Sequence, residues 1–308
     1  MATKKQKKIL VALDGSERSM LTVKYIAKLA SFEDMKIVLF NVFSGVPESY
    51  WDLEREPKSV KSVKYVRAWE VQQKKIIEEF LGQARNVLSR SGFPEAQVDV
   101  KIQQRKKGIA RDIVKEARAG YEAVLTRRRG LGRIPGIILG SVSLKLLESI
   151  SFIPLLLAGR KPPGKKYLIA LDGSRDALQA VDFAGSFLAG NDVDFRLLHI
   201  IRGGEKTNEI LASSDDFVHN AEKNIVRAFD EAKTRLVAKG FKPDSITTQI
   251  ITGVRSRAAA IVDEGKRFDV GTIIMGRRGL SRTQDFFMGR VTNKVVYLAC
   301  EKSVWIVS

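Results

Sequence analysis

Two short acidic turns are the residues best placed to do chemistry. Asp14-Gly15-Ser16 closes the apolar run Ile9–Leu13, and Asp172-Gly173-Ser174 closes Tyr167–Leu171, 158 residues later. A glycine-bearing segment follows towards the end of each half: Gly130 and Gly140 with Ser141, then Gly276, Gly279 and Gly289 with Arg290. Nine residues separate Gly130 from Gly140, and nine separate Gly279 from Gly289. Glycine lets bare backbone N–H groups approach a ligand closely. Gly140-Ser141 opens a helix, and free N–H groups at a helix N-terminus hold phosphate with the help of the dipole. Ser141 and Ser143 add hydroxyl donors. The chemistry these residues share is anion binding. Taken singly, Asp14-Gly15 is also an ordinary turn and Gly140-Ser141 an ordinary helix start. Occurring together, twice in one chain, they favour a site.

The elements that must position them alternate between strand and helix. Ile9–Leu13, Met35–Phe43, Val98–Gln104, Ala123–Thr126 and Pro154–Ala158 read as strands in the first half, and Tyr167–Leu171, Phe195–Ile200, Thr247–Ile251, Val270–Met275 and Val304–Val307 in the second. Continuous apolar runs of this length suit parallel strands buried on both faces. Between them lie helical stripes, the longest through Ile76, Ile77, Phe80, Leu81, Ala84, Val87 and Leu88. Five such strands per half, alternating with helices, predict an α/β fold with a parallel sheet covered on both faces. The repeat predicts two domains, 1–160 and 165–308, joined by the stiff linker 161–164. In open parallel sheets, ligands bind beyond the carboxyl ends of the strands. The acidic turns and the glycine segments therefore share one edge. The first half carries an insertion, part of it in Ser44–Pro57, which reads as a surface loop or a lid.

Charge adds a second constraint. The net charge is +18, of which residues up to Arg160 supply +13. A basic surface suits nucleotides, nucleic acid or other phosphate-bearing partners. Arg127-Arg128-Arg129, Arg133, Arg277, Arg278 and Arg282 crowd the glycine segments, as a phosphate clamp, a polyanion patch or plain solvated loops. Lys4–Lys8 reads as a solvated tail. Two histidines and one cysteine, Cys300, leave no credible Cys/His metal site and no Ser-His-Asp or Cys-His catalytic set. His199, at a strand end, reads as a packed, hydrogen-bonded side chain; Asn41 stands at its first-half position. There is no P-loop and no Gly-x-Gly-x-x-Gly after either first strand. The single cysteine and the lack of a long apolar run fit a cytoplasmic protein.

These motifs resemble those of the universal stress protein family, twice over and across almost the whole chain. Its pattern is Gly-x2-Gly-x9-Gly-(Ser/Thr) after the fourth strand, with an Asp ending the first. The resemblance implies two Rossmann-like domains with strand order 3-2-1-4-5 that bind adenine nucleotide, ATP or AMP, with Mg²⁺ arriving alongside. It places Asp14 and Asp172 by the adenine. It places Gly130, Gly140 and Ser141, and Gly276, Gly279 and Gly289, at ribose and phosphates. Arg127 departs from the pattern at the first glycine, and Arg290 departs at the Ser/Thr position, where it either binds phosphate or blocks the site. On backbone alone the second site is the more intact. Family dimers pair through their fifth strands, so Pro154–Ala158 and Val304–Val307 are expected to pair within the chain, with a further homodimer open. The function expected is a nucleotide-binding stress-response sensor or adaptor with little or no hydrolysis. The alternatives are a nucleotide-free scaffold with arginine-closed sites and a basic nucleic-acid-binding protein.

Overall fold

The structure, a computed structural model, describes residues 7–29, 35–45, 60–128, 139–202, 214–280 and 288–308. In the first half β1 (Lys7–Ala12), β2 (Met35–Phe43), β3 (Val98–Gln104), β4 (Ala123–Arg127) and β5 (Leu155–Ala158) alternate with α1 (Glu17–Ala27), α2 (Val60–Arg90), α3 (Ile109–Ala117) and α4 (Ser141–Ser149). The second half repeats the plan. Its strands are β6 (Lys166–Ala170), β7 (Asp194–Arg202), β8 (Ile246–Val254), β9 (Thr272–Gly276) and β10 (Ser303–Val307), with α5 (Arg175–Phe187), α6 (Ser214–Val237), α7 (Arg257–Arg267) and α8 (Arg290–Leu298) between them.

Strand order is β3-β2-β1-β4-β5-β10-β9-β6-β7-β8. Each half is parallel with order 3-2-1-4-5, and the two meet where β5 pairs antiparallel with β10, Leu156 opposite Trp305. One ten-stranded sheet results, and neither fifth strand is left as an edge. Alternate residues feed opposite layers. Ile9, Val11, Ile37 and Leu39 pack under α1 and α2, while Leu10, Val38 and Phe40 pack against α3 and α4. Both apolar layers run through the seam into the second half. On the long helix, Leu81, Ala84 and Leu88 are buried as the stripe predicts, whereas Ile76 lies in solvent.

The seam is polar as well as apolar. Tyr25, on α1, is 3.0 Å from Thr272 Oγ1 on β9, and Trp305 Nε1 donates to its hydroxyl at 3.1 Å. Each half also sends one arginine into the other. Arg128 donates to Val296 O and, at 3.1 Å, to Lys302 O. Arg277 donates to Leu147 O (2.8 Å), Ile150 O and Ser308 Oγ (2.8 Å). Leu147 and Val296 lie in the last turns of α4 and α8, where carbonyls lack partners within the helix and the dipole favours a cation. Arg128 and Arg277 are thus neither phosphate clamps nor solvated loop residues. They are 4% and 1% exposed and cap the opposite half's helices. Burial pushes both guanidinium groups down to about 10, which leaves them charged at neutral pH.

Candidate functional site

β1 turns towards β2 on one side and β4 on the other, so a crevice opens at its carboxyl end. There the structure holds a cavity of about 570 Å³. This lies within the size range of small-molecule sites. Its floor is Ala12–Asp14 with the end of β2, Asn41–Ser44. One wall is α2, through Trp69, Gln73 and Ile77; the facing one is the start of α3, through Ile109 and Ile113. The far end is Thr126 and Arg127 from β4 with Gly140–Ser143 at the start of α4.

Local sequence explains each placement. Gly15 has φ +78°, a left-handed conformation that glycine adopts without strain. It lets Asp14 Oδ1 accept from Ser16 N (3.0 Å) and Ser16 Oγ (2.6 Å), while Ser16 Oγ caps α1 through Ser19 N. The start of α3 is fixed by Asp112, whose buried carboxylate accepts from the N–H groups of Lys106 (2.8 Å) and Lys107 (3.2 Å). Burial works to raise that carboxyl, but the backbone donors with Lys115 outweigh it and hold it below its ordinary value. Gly140 begins α4 without any side-chain cap. Gly140–Ser143, the first turn of that helix, line the cavity, and N–H groups of a first turn lack partners within the helix. Ser143 is anchored by donating from Oγ to Arg127 O at 2.6 Å. Arg127 is half-buried; burial, then Arg18 and Arg160, lower its pKa, and Asp14 opposes them. This end of the cavity combines a helix N-terminus with an arginine, two groups that suit an anion.

The second half uses the same residues differently. Asp172 Oδ2 accepts from Leu280 N (3.2 Å), and Asp176 Oδ2 accepts from Arg278 N (3.0 Å). The loop after β9 thus gives two of its N–H groups to the chain's own carboxylates. A Cβ on Gly279 would sit 2.4 Å from Asp172 Oδ2, and one on Gly276 would sit 2.7 Å from Ala177 N. At the first-half position of Gly276 stands Arg127. Any side chain there forbids the close approach that α5 makes, and α1 packs less extensively on β4 than α5 does on β9. Gly289 caps α8 and lies beside Gly279, with Arg290 as the first helical residue.

Of the residues singled out by sequence, Asp14, Gly140 and Ser141 are brought together in the first-half cavity. Asp172, Gly276, Gly279, Gly289 and Arg290 gather at the corresponding edge of the second. Gly130, Arg129, Arg133 and Arg282 lie outside the described residues, as does Ser44–Pro57 beyond Gly45. The aromatic and aliphatic walls were not singled out. The signal was available, since Trp69, Gln73 and Ile77 recur every four residues on one helix face. Among the described residues no group of three or more His, Cys, Asp or Glu could hold a metal ion, and no helix is long and apolar enough to cross a membrane.

Asn41 and His199 do the same job. Asn41 Nδ2 donates to Leu13 O at 2.8 Å, and His199 Nδ1 is 2.7 Å from Leu171 O. A carbonyl only accepts, so Nδ1 carries the proton. Burial lowers the His199 pKa against the opposing pull of Leu171 O and Asp172. Below the ordinary value of 6.5 the unfolded chain therefore binds more protons than the folded one. This contribution to stability is complete above that value and falls away as pH drops through the lowered one. His199→Asn, the residue found at position 41, keeps the bond. It is expected to shrink the loss of thermal midpoint between about pH 7.5 and about pH 5.5, and an unchanged pH profile would refute the assignment.

Comparison with known proteins closes the description. A family model described as the universal stress protein family matches residues 5–157 and again 164–308. The universal stress protein YxiE of Bacillus subtilis is 25% identical over 142 residues, covering 44% of this chain and 93% of that protein. A universal stress protein of Mycolicibacterium smegmatis is 26% identical over 198 residues, covering 62% of this chain and 63% of its own, just under two thirds. The crystal structure of a universal stress protein from Archaeoglobus fulgidus superposes with a TM-score of 0.62 at 17% identity over 99% of both chains.

Proposed function

The chain belongs to the universal stress protein family, as two such domains in tandem, and from that premise we propose that it is a stress-response protein binding adenine nucleotide in its first half. One observation carries the reading: a single cavity joins an apolar slot to an uncapped helix N-terminus and an arginine. A base with a phosphate attached has that same division of character. Phosphate would lie at Gly140–Ser143 and Arg127, where N–H groups, dipole and guanidinium converge. The second half is the weaker candidate, because Asp172 and Asp176 already take N–H groups of its glycine loop. This reverses the ranking drawn from the backbone pattern alone.

Mg²⁺ would be held mainly by the nucleotide's phosphates and water, with Asp14 the nearest carboxylate of the first-half site. Hydrolysis is expected to be slow or absent. Among the described lining residues Asp14 is the one carboxylate, its Oδ1 is engaged by Ser16, and no histidine is present to act as general base.

The test is calorimetric titration of nucleotide-stripped protein with AMP and ATP, with and without Mg²⁺. Saturable binding is expected. Gly140→Trp, which fills the start of α4, should weaken it on the order of 100-fold, about the worth of one strong charge-assisted hydrogen bond. Gly279→Ala should leave it within about three-fold, or 0.6 kcal/mol, since the second-half loop is not used. Binding lost through Gly279→Ala alone would move the site to the second half. No binding to the folded native protein would leave the scaffold reading, and binding of oligonucleotides that falls steeply with salt would favour the nucleic-acid one.

A further inference from the structure

We infer that Trp69 stacks on the base of the bound nucleotide, and that the slot between α2 and α3 reads the ring by its flat apolar area, purine over pyrimidine. The inference rests on the nucleotide reading above and goes further by naming what selects the ring. Trp69 is 49% exposed and Ile109 37%, and both line the one cavity from opposite helices. Single exposed apolar residues are ordinary. Two that face one cavity, backed by Ile77 two turns along α2 and Ile113 one turn along α3, form an apolar slot between the two helices. An indole offers a flat ring that gains from an offset stack with another ring, and base stacking on an aromatic tolerates any base in proportion to its π-face.

The polar groups around the slot are few. Gln73 lies on the same face of α2, and Asn41 has its amide nitrogen committed to Leu13 O. Edge reading by hydrogen bonds is left to Gln73 and to Asn41 Oδ1, which has no partner among the described residues, and face area supplies the rest of the discrimination. The phosphate end lies apart, on β4 and α4, so the two ends of a ligand can be tested separately. In the second half the equivalent positions, 148 residues on, carry Phe217 and Arg257. The aliphatic wall supplied by Ile109 is thus particular to the first half.

The experiment combines calorimetry with tryptophan emission, titrating AMP, CMP and ribose 5-phosphate into the full chain and into Trp69→Ala and Trp69→Phe. AMP should bind and quench emission saturably, and the quenching should vanish in Trp69→Ala, which separates Trp69 from Trp51 and from Trp305, buried at the seam. CMP should bind more weakly, and ribose 5-phosphate weakest and without quenching. Trp69→Ala should cost AMP about ten-fold or more in affinity and leave ribose 5-phosphate unchanged, which also shows the phosphate end intact. Trp69→Phe should retain most of the AMP affinity. Equal AMP affinity in native protein and Trp69→Ala, or equal affinity for AMP and CMP, overturns the stacking inference and leaves the nucleotide site standing. Failure of AMP to bind the native protein overturns both.

Discussion

Replacing Arg277 by methionine is expected to lower the stability of the whole chain by about 2–4 kcal/mol. The guanidinium is 1% exposed and donates to Leu147 O, Ile150 O and Ser308 Oγ. Methionine fills much of the volume but donates nothing, so two carbonyls at the buried end of α4 lose their partners. Each unsatisfied group costs about 1–3 kcal/mol. Relief from burying a charge works the other way, which keeps the figure below the simple sum. Arg277→Lys should not rescue it, because one ammonium cannot span three acceptors held in a planar fork. Arg128→Met should act in the same direction on α8, through Val296 O and Lys302 O. Urea unfolding followed by far-ultraviolet circular dichroism reads the effect. A shift under about 0.5 kcal/mol, the range of ordinary surface substitutions, would show that the arginine caps contribute little to the seam.

The repeat made the fold legible. Asp14-Gly15-Ser16 and Asp172-Gly173-Ser174 mark strand ends that fall where the structure has them, and Gly15 and Gly173 adopt nearly the same left-handed φ, +78° and +77°. Apolar runs such as Val38–Phe40 sit between two layers and feed both, which is why they show no alternation. The pairing of β5 with β10 followed from the family resemblance, not from pattern. The arginines were not legible. Arg127, Arg128, Arg277 and Arg278 look alike in sequence, yet Arg127 lines a cavity while Arg128 and Arg277 are buried caps. What separates neighbours such as Arg127 and Arg128 is strand alternation at the end of β4 combined with a contact 168 residues away, between Arg128 and Val296. No local window contains that contact. The cavity walls were obscured for the same reason, since Trp69 and Ile109 belong to helices separated by β3. His199 was readable because the carbonyl it holds ends a neighbouring strand already marked by its acidic turn.

Arg127→Gly restores the glycine that the family pattern places at this position, and it is expected to weaken nucleotide binding by about 10- to 100-fold. The resemblance alone predicts the reverse. Geometry decides between them. In the second half, Gly276 allows the start of α5 to press against the end of β9, where a Cβ would lie 2.7 Å from Ala177 N. In the first half Arg127 occupies that place, its side chain lining the cavity beside Gly140–Ser143 with Arg18 and Arg160 near enough to lower its pKa. Glycine would remove the one cation among the described lining residues and let α1 close on β4, so phosphate loses a charge-assisted donor and the crevice loses width. Arg127→Lys keeps the charge and the wedge but not the fork, so its loss should be smaller. Calorimetry with AMP and with adenosine separates the causes. A deficit confined to AMP assigns Arg127 to phosphate; an equal deficit for adenosine assigns it to holding the crevice open. Tighter binding of both ligands by Arg127→Gly would mean that the arginine obstructs the site, and the family pattern, not the cavity, would then be the better guide to where the nucleotide sits.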